Sequence, residues 1–152
     1  AFMVGSCAFA DCATEGLNGE MLPVVGSEFL GSSSAPFSHG LIISEPSALM
    51  AQMLGLPLAR ANTVNRIRSG SKEVERILEL NPADLETMES AALAYACAME
   101  GVRYAEIRCV SNHTLPKSEQ KWMLKPAIEK LGSIIDRILD ESFKKMRDYL
   151  EQ

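Results

Sequence analysis

The sequence has few of the residues from which metal sites and charged binding surfaces are built. Its 152 residues include two histidines and four cysteines, and no two cysteines form a C-x-x-C pair. Zinc sites need several such ligands at short spacing, so we expect no metal and buried or idle thiols. Lys and Arg number 15 against 20 Asp and Glu, and they are interleaved rather than clustered. Because non-specific nucleic-acid binding depends on clustered positive charge, no nucleic-acid partner is expected.

Long apolar runs and the common catalytic signatures are missing as well. No stretch could cross a bilayer and the start does not resemble a signal peptide, so we expect a cytoplasmic protein without a membrane partner. The chain has no glycine-rich phosphate loop, no G-x-S-x-G sequence and no histidine-paired nucleophile, and no cofactor is expected. With 47% hydrophobic residues, residues 1–152 are expected to form one domain.

Strand-like and helical segments alternate along the chain. Strands are predicted for residues 1–5, 59–67, 84–88 and 103–110. A first helix is predicted for residues 45–54, with Ser44 as its cap and Gly55 at its end. A second is predicted between a cap at Ser71 and an end at Asn81-Pro82. Two more are predicted for residues 90–100 and for the C-terminal segment. Residues 11–40 show little periodicity, and residues 31–40 are a loop by composition. The alternation predicts an α/β fold with a mainly parallel sheet.

The two ends of the chain carry distinct apolar patterns. Residues 1–5 are typical of a buried strand, so the sequence is expected to be a fragment or the product of an unusual gene boundary. The exposed edge of this strand is expected to promote dimerisation or aggregation. The C-terminal segment has an apolar stripe that predicts a helix packed on its own sheet, a partner-binding or membrane-surface helix being the alternative. The stripe consists of Ile128, Leu131, Ile134, Ile135, Ile138, Leu139, Phe143 and Met146.

Polar residues gather after two of the predicted strands. Glu89 lies at the start of a helix, a position that acids also favour simply because of the helix dipole. Arg108 lies near the end of an otherwise buried strand and needs a carboxylate partner, which Glu89 or Glu86 could provide. A carboxylate held in this way can accept hydrogen bonds from the two adjacent hydroxyls of a ribose.

Three further side chains suit a nucleoside ligand. Asn112, after Ser111, can hydrogen-bond the edge of a purine, although Ser-Asn is also a common turn sequence. Trp122 could stack on a flat ring as a lid or could fill a hydrophobic gap. Met88 offers a soft apolar surface for a sugar or a base.

Residues 85–92 (LETMESAA), followed by Gly101 and residues 107–112 (IRCVSN), resemble the signature of the nucleoside phosphorylase and nucleosidase superfamily. The E-T-M-E phrase, and Ser-Asn where Ser-Asp is usual, are similar to the futalosine hydrolases of menaquinone biosynthesis. Residues 9–11, residues 63–65 and Trp122 extend the resemblance over most of the chain. It implies a three-layer αβα fold with a mainly parallel or mixed sheet, homo-oligomers, and hydrolysis of the N-glycosidic bond of a small nucleoside substrate to release hypoxanthine.

The resemblance also implies roles for single residues. Met88 and Glu89 would contact the ribose, and Arg108 would orient Glu89. Ser111 would face the base, and Asn112, the catalytic candidate, would stabilise the departing base. The remaining predicted binding residues are Asn65 and Ile67 in the base pocket and Trp122.

The sequence departs from the family in two places. Family members begin with further strands that carry a glycine-rich turn and a water-positioning glutamate, which have no counterpart here. The family fold is therefore expected to be N-terminally incomplete, and this chain alone to be weakly active or inactive. Ser90 stands where glycine is common in relatives. The alternatives are another purine nucleosidase or phosphorylase, such as the methylthioadenosine/adenosylhomocysteine type, or a non-catalytic module that binds nucleosides or oligomerises.

Overall fold

The computed structural model describes residues 1–28, 30–67, 70–114 and 121–150, without the side chains of Glu15, Met21, Ser71 and residues 142–150. The strands in chain order are β1 (Phe2–Phe9), β2 (Ala13–Glu15), β3 (Met21–Pro23), β4 (Ile42–Ile43), β5 (Leu58–Thr63), β6 (Leu85–Thr87) and β7 (Ile107–Arg108). The helices are α1 (Glu45–Leu54), α2 (Ser71–Leu80), α3 (Ser90–Met99) and α4 (Leu124–Leu150).

The central sheet is mixed, and β1 lies inside it. Strands β1, β5 and β6 are parallel neighbours, whereas β4 and β7 pair antiparallel with β1 on the side away from β5. Met3 has partners on both sides, Leu58 in β5 and Ile107 in β7. The expectation that the first strand offers a free edge is therefore wrong, because β5 and β7 cover it.

A bulge in β1 decides which of its side chains face which layer. The register with β5 shifts between Val4 and Ser6, which makes Gly5 the extra residue. Glycine suits this position because a Cβ there would lie 2.7 Å from side-chain atoms of Leu58. As a consequence Val4 and Cys7 join the same core cluster although they are three residues apart.

Helices cover both faces of the sheet, which confirms the three-layer αβα architecture. On one face, Ala91 and Ala94 of α3 pack in the cluster that contains Val4. On the other face, Leu54 of α1 and Ile134 of α4 pack in a separate cluster. Alanines on α3 let the helix approach the sheet closely, since their side chains end at Cβ.

Local signals predict α1 and α3 well and α2 less well. Ser44 caps α1 by accepting a hydrogen bond from the backbone N–H of Ser47 at 3.2 Å, and Gly55 ends the helix at φ 64°. The prediction that Ser71 caps α2 is wrong, because Ser71 is itself the first helical residue and Gly70 is the cap.

Two predicted strands are shorter than expected. The strand predicted to reach residue 67 ends at Thr63, because Asn65 donates its backbone N–H to the Asp11 carboxylate at 2.8 Å, away from the sheet. The strand predicted for residues 103–110 is reduced to β7, which pairs only with Phe2 and Met3. Residues 11–40 hold a hairpin of β2 and β3, whose strands of three residues are too short to show periodicity.

The apolar stripe of α4 packs on the fold along only part of its width. Ile134 is buried and Ile138 packs beside it, whereas Ile128, Ile135 and Leu139 are largely exposed. The expectation that this helix packs on its own domain is thus right for half of the stripe, because the stripe is wider than the surface that meets it. The side chains of Phe143 and Met146 lie outside the described residues. Within the described parts of the chain, no helix is both long and apolar enough to cross a membrane.

Ile134 and Ile135 form a matched pair for testing this packing, with exposed fractions of 1% and 43%. Ile134→Ala should lower the free energy of unfolding by about 3 kcal/mol, because it leaves a cavity between α4 and the sheet. Ile135→Ala should change the free energy of unfolding of the single chain by less than about 1 kcal/mol, at protein concentrations low enough to exclude oligomers. Urea denaturation followed by circular dichroism measures both. Equal losses would contradict the packing described for α4.

Candidate active site

The start of α3 leaves the Glu89 side chain available for other contacts. Glu89 is the residue before the helix, but its side chain does not cap it. Instead, the Thr87 hydroxyl accepts a hydrogen bond from the Ser90 N–H at 3.4 Å, and the Thr63 hydroxyl accepts one from the Ala91 N–H at 2.8 Å. Because two threonines from the strands do the capping, the Glu89 carboxylate can point outwards, with 66% of its side chain exposed.

Arg108 connects Glu89 to a buried carboxylate. Its Nη1 lies 3.3 Å from Glu89 Oε2, which is the ion pair expected from the sequence. Its Nε lies 2.5 Å from Oε1 of Glu106, and its Nη2 lies 3.4 Å from the Ser90 hydroxyl. Glu106 was not predicted, although it lies two residues before Arg108, a spacing that places both on one face of an extended segment.

A cavity of about 430 Å³ opens beside this ion pair, a volume within the range of small-molecule sites, roughly 300–1,000 Å³. Glu89 and Arg108 form part of its wall, together with both polar residues of the Ser111-Asn112 turn. The other lining residues are Phe2, Ile67, Asp84, Leu85, Glu86, Thr87, Met88, Cys109, Val110, His113, Thr114 and Trp122.

Backbone contacts bring the start of α4 to this wall. The Met123 N–H donates to the Ser111 carbonyl at 2.6 Å, which places Trp122 beside the turn. The Ser111 hydroxyl donates to Asn112 Oδ1 at 2.9 Å, and Asn112 Nδ2 donates to the His113 carbonyl at 3.3 Å. These contacts orient the Asn112 amide, whose Nδ2 retains a second N–H for a ligand.

Cys7 lies in the core, and the partly buried Tyr104 packs against the same cluster. Burial, reinforced by the Glu106 carboxylate, raises the pKa of the Cys7 thiol from 9.0 to about 12. Burial also raises the pKa of Tyr104, with further contributions from Cys7 and Glu106. Both groups are therefore kept neutral in the folded protein, and Cys7 is a structural thiol, as expected.

The raised pKa of Cys7 predicts a loss of stability at alkaline pH. Below pH 9 the Cys7 thiol is protonated in both the folded and the unfolded chain. Between pH 9 and about 12 the unfolded chain has released the proton and the folded one retains it, so the free energy of unfolding falls as pH rises. Each such proton contributes up to about 1.4 kcal/mol per pH unit.

Urea denaturation at pH 8, 9 and 10 measures this effect. Cys7→Ala should reduce the slope above pH 9, because the variant has no thiol to titrate at this position. Cys12→Ala, a change at an exposed cysteine, should keep the wild-type slope. If Cys7→Ala and wild type have the same slope, burial does not keep the Cys7 thiol protonated.

Comparison with known proteins shows the family of this chain. The family model described as "Phosphorylase superfamily" matches residues 48–140, which include β6, α3 and the Arg108–Asn112 wall. The chain belongs to the phosphorylase superfamily.

Two relatives show how much of a superfamily protein this chain covers. A futalosine hydrolase of Thermus thermophilus is 35% identical over 92 residues, which are 60% of this chain and 41% of that protein. A solved structure, an MTA/SAH nucleosidase, superposes with a TM-score of 0.55 at 22% identity and covers 97% of this chain and 52% of the other. The structural match supports the fold, and the chain spans about half the length, or less, of these relatives.

Seven of the eight residues predicted for the site of this superfamily member lie on the cavity wall. They are Ile67, Met88, Glu89, Arg108, Ser111, Asn112 and Trp122. Asn65 does not line the cavity, because its backbone N–H and its Nδ2 both donate to the Asp11 carboxylate at 2.8 Å. Among the described residues, no group of three or more His, Cys, Asp or Glu side chains could hold a metal ion.

Proposed function

We propose that the protein binds a purine ribonucleoside in this cavity and hydrolyses the N-glycosidic bond of futalosine, releasing hypoxanthine. The observation that carries the proposal is the exposed Glu89 carboxylate, held by Arg108 on the same cavity wall as Ser111 and Asn112. The identity with a futalosine hydrolase over 92 residues supports this substrate.

In this proposal Glu89 and Met88 on the cavity wall bind the ribose, and Asn112 on the same wall binds the base. Glu89 accepts hydrogen bonds from the 2′ and 3′ hydroxyls of the ribose, and Met88 packs against the sugar. As the N-glycosidic bond breaks, its electron pair goes to the hypoxanthine, whose N7 accepts a hydrogen bond from Asn112. Water attacks the anomeric carbon, and the proton that it loses passes through solvent to the departed base. Because an amide has no titratable proton near neutral pH, Asn112 stabilises the base without protonating it, which disfavours adenine as the leaving group.

Binding and hydrolysis of futalosine are measured separately, because the chain spans 41% of the hydrolase that it matches. Calorimetry should show saturable binding of futalosine, and chromatography should show hypoxanthine released above the rate without protein. Methylthioadenosine should yield less product, since its leaving base is adenine. A folded chain that neither binds nor cleaves futalosine would contradict the proposal. Binding without release would contradict catalysis by this chain and favour a nucleoside-binding module.

We also propose that the protein is a homo-oligomer, with the exposed half of the α4 stripe in the contact. Ile128, Ile135 and Leu139 leave an apolar strip on the surface that a second copy could cover. Sedimentation equilibrium should show a dimer or larger species, and Ile135→Ala should weaken it. A monomer at every concentration would contradict this proposal.

The cytoplasmic location stays a prediction.

A further inference from the structure

Glu106 is a buried carboxylate to which the proposed reaction assigns no part. Its side chain is 6% exposed, and it does not line the cavity. We propose that Glu106 is a positioning residue: with the Ser90 hydroxyl it holds the Arg108 guanidinium in the one orientation that presents Nη1 to Glu89, and thereby orients the carboxylate that binds the ribose diol. This inference rests on the proposed function and deepens it.

The three guanidinium nitrogens are divided between the core and the cavity. Nε bonds to Glu106 Oε1 and Nη2 bonds to the Ser90 hydroxyl, which itself donates to Glu106 Oε1 at 2.6 Å. Only Nη1 is directed to Glu89. A planar guanidinium has fixed angles between its N–H groups, so fixing Nε and Nη2 also fixes the direction of Nη1.

Glu106 can hold Arg108 because its own backbone is fixed by two elements. Its N–H donates to the Ser47 hydroxyl at 3.0 Å, and its carbonyl accepts from the Val4 N–H at 2.9 Å. Ser47 belongs to the first turn of α1, where its N–H in turn donates to the Ser44 cap. The chain of contacts therefore runs from the N-terminus of α1 and from β1 to the guanidinium.

Burial decides which carboxylate controls the arginine. Glu89 is 66% exposed and lies 3.3 Å from the guanidinium, so solvent screens its attraction. Glu106 lies at 2.5 Å in the interior, where its negative charge is poorly solvated and requires a cation. The guanidinium therefore stays with Glu106, and the long side chain of Glu89 is held by the nitrogen that remains.

Glu106→Gln is a sharp test because it removes the charge with little change in shape. Oε2 of Glu106 has no hydrogen-bond partner in the described part of the chain, so an amide nitrogen at that position displaces no existing bond. The variant should bind futalosine about tenfold more weakly by calorimetry, and in a Glu89→Gln background it should cause no further loss. This double-mutant cycle distinguishes action through Glu89 from general destabilisation.

Asn62→Ala is the matched control, since Asn62 is equally buried and donates to the Asn81 carbonyl, away from Arg108. It should lower the melting temperature without lowering futalosine affinity. If Glu106→Gln does not fold, Ser90→Ala replaces it in the test. Ser90→Ala should weaken futalosine binding about threefold, and this loss of affinity should also disappear in the Glu89→Gln background.

The outcomes separate the inference from the function on which it rests. If wild type does not bind futalosine, or if Glu89→Gln binds it as well as wild type does, the proposed function fails. If Glu89→Gln weakens binding but Glu106→Gln does not, or if the two losses add independently, Glu106 does not act through Glu89 and the inference is overturned.

Discussion

Arg108→Ala should lower the free energy of unfolding by about 3 kcal/mol, because it leaves the Glu106 carboxylate buried without a cation. We expect the lower end of the range for broken buried pairs, since a third of the Arg108 side chain is exposed. Arg108→Lys should recover only part of the loss, because an ammonium cannot serve Glu106, Ser90 and Glu89 with the geometry of a guanidinium. Urea denaturation at pH 7 measures both variants.

Arg66 provides the control for this prediction. It forms an ion pair with Glu73 at 3.1 Å, but both side chains are more than half exposed. Arg66→Ala should therefore lower the free energy of unfolding by no more than about 1 kcal/mol. In the double variant of Arg108→Ala with Glu106→Gln, much of the stability should return, because no charge is then left buried. If Arg108→Ala costs no more than Arg66→Ala, the buried pair contributes nothing measurable to folding.

Glu89→Gln should weaken futalosine binding by about 10- to 100-fold, the equivalent of one or two hydrogen bonds to a charged acceptor. The amide keeps the length of the side chain but loses the charge and one acceptor oxygen. Stability should change little, since the Glu89 side chain is exposed and does not cap α3. Calorimetry with futalosine measures the affinity.

Glu86→Gln is the matched control for Glu89, because both glutamates line the same cavity and the sequence alone allowed either as the partner of Arg108. The structure pairs Arg108 with Glu89, so the Glu86 variant should retain most of the affinity. If both variants lose affinity equally, the diol is not bound by Glu89 in particular. An unchanged affinity in Glu89→Gln would remove this residue from the binding site.

The helix ends that were predicted correctly are those fixed by neighbouring residues. Helix α1 was predicted with its cap at Ser44 and its end at Gly55, because both signals act within one helical turn. A carboxylate partner for Arg108, Glu89 or Glu86, was predicted because a guanidinium in an apolar strand requires one, and the structure pairs Arg108 with Glu89. The errors at Asn65 and in the predicted free edge of β1 concern contacts with segments far away in the sequence.

Ser90 shows the same limit at the scale of one side chain. From the sequence it is a minor departure at a position where relatives have glycine. In the structure its hydroxyl donates to Glu106 and accepts from Arg108, which makes it part of the support for the proposed site. No local pattern indicates this, because the partners lie 16 and 18 positions further along the chain.

The sequence by itself determined the α/β class, the caps of α1, the phosphorylase superfamily membership and the carboxylate–arginine pair. These follow from residue type, from short spacings and from motifs. Only the tertiary structure decided that β1 is central, that half of the α4 stripe remains exposed, that Asn65 bonds to Asp11, and that Glu106 and Ser90 share Arg108 with Glu89. The reason is physical: burial and long-range hydrogen bonding depend on which elements meet in space, and periodicity along a chain carries no record of that.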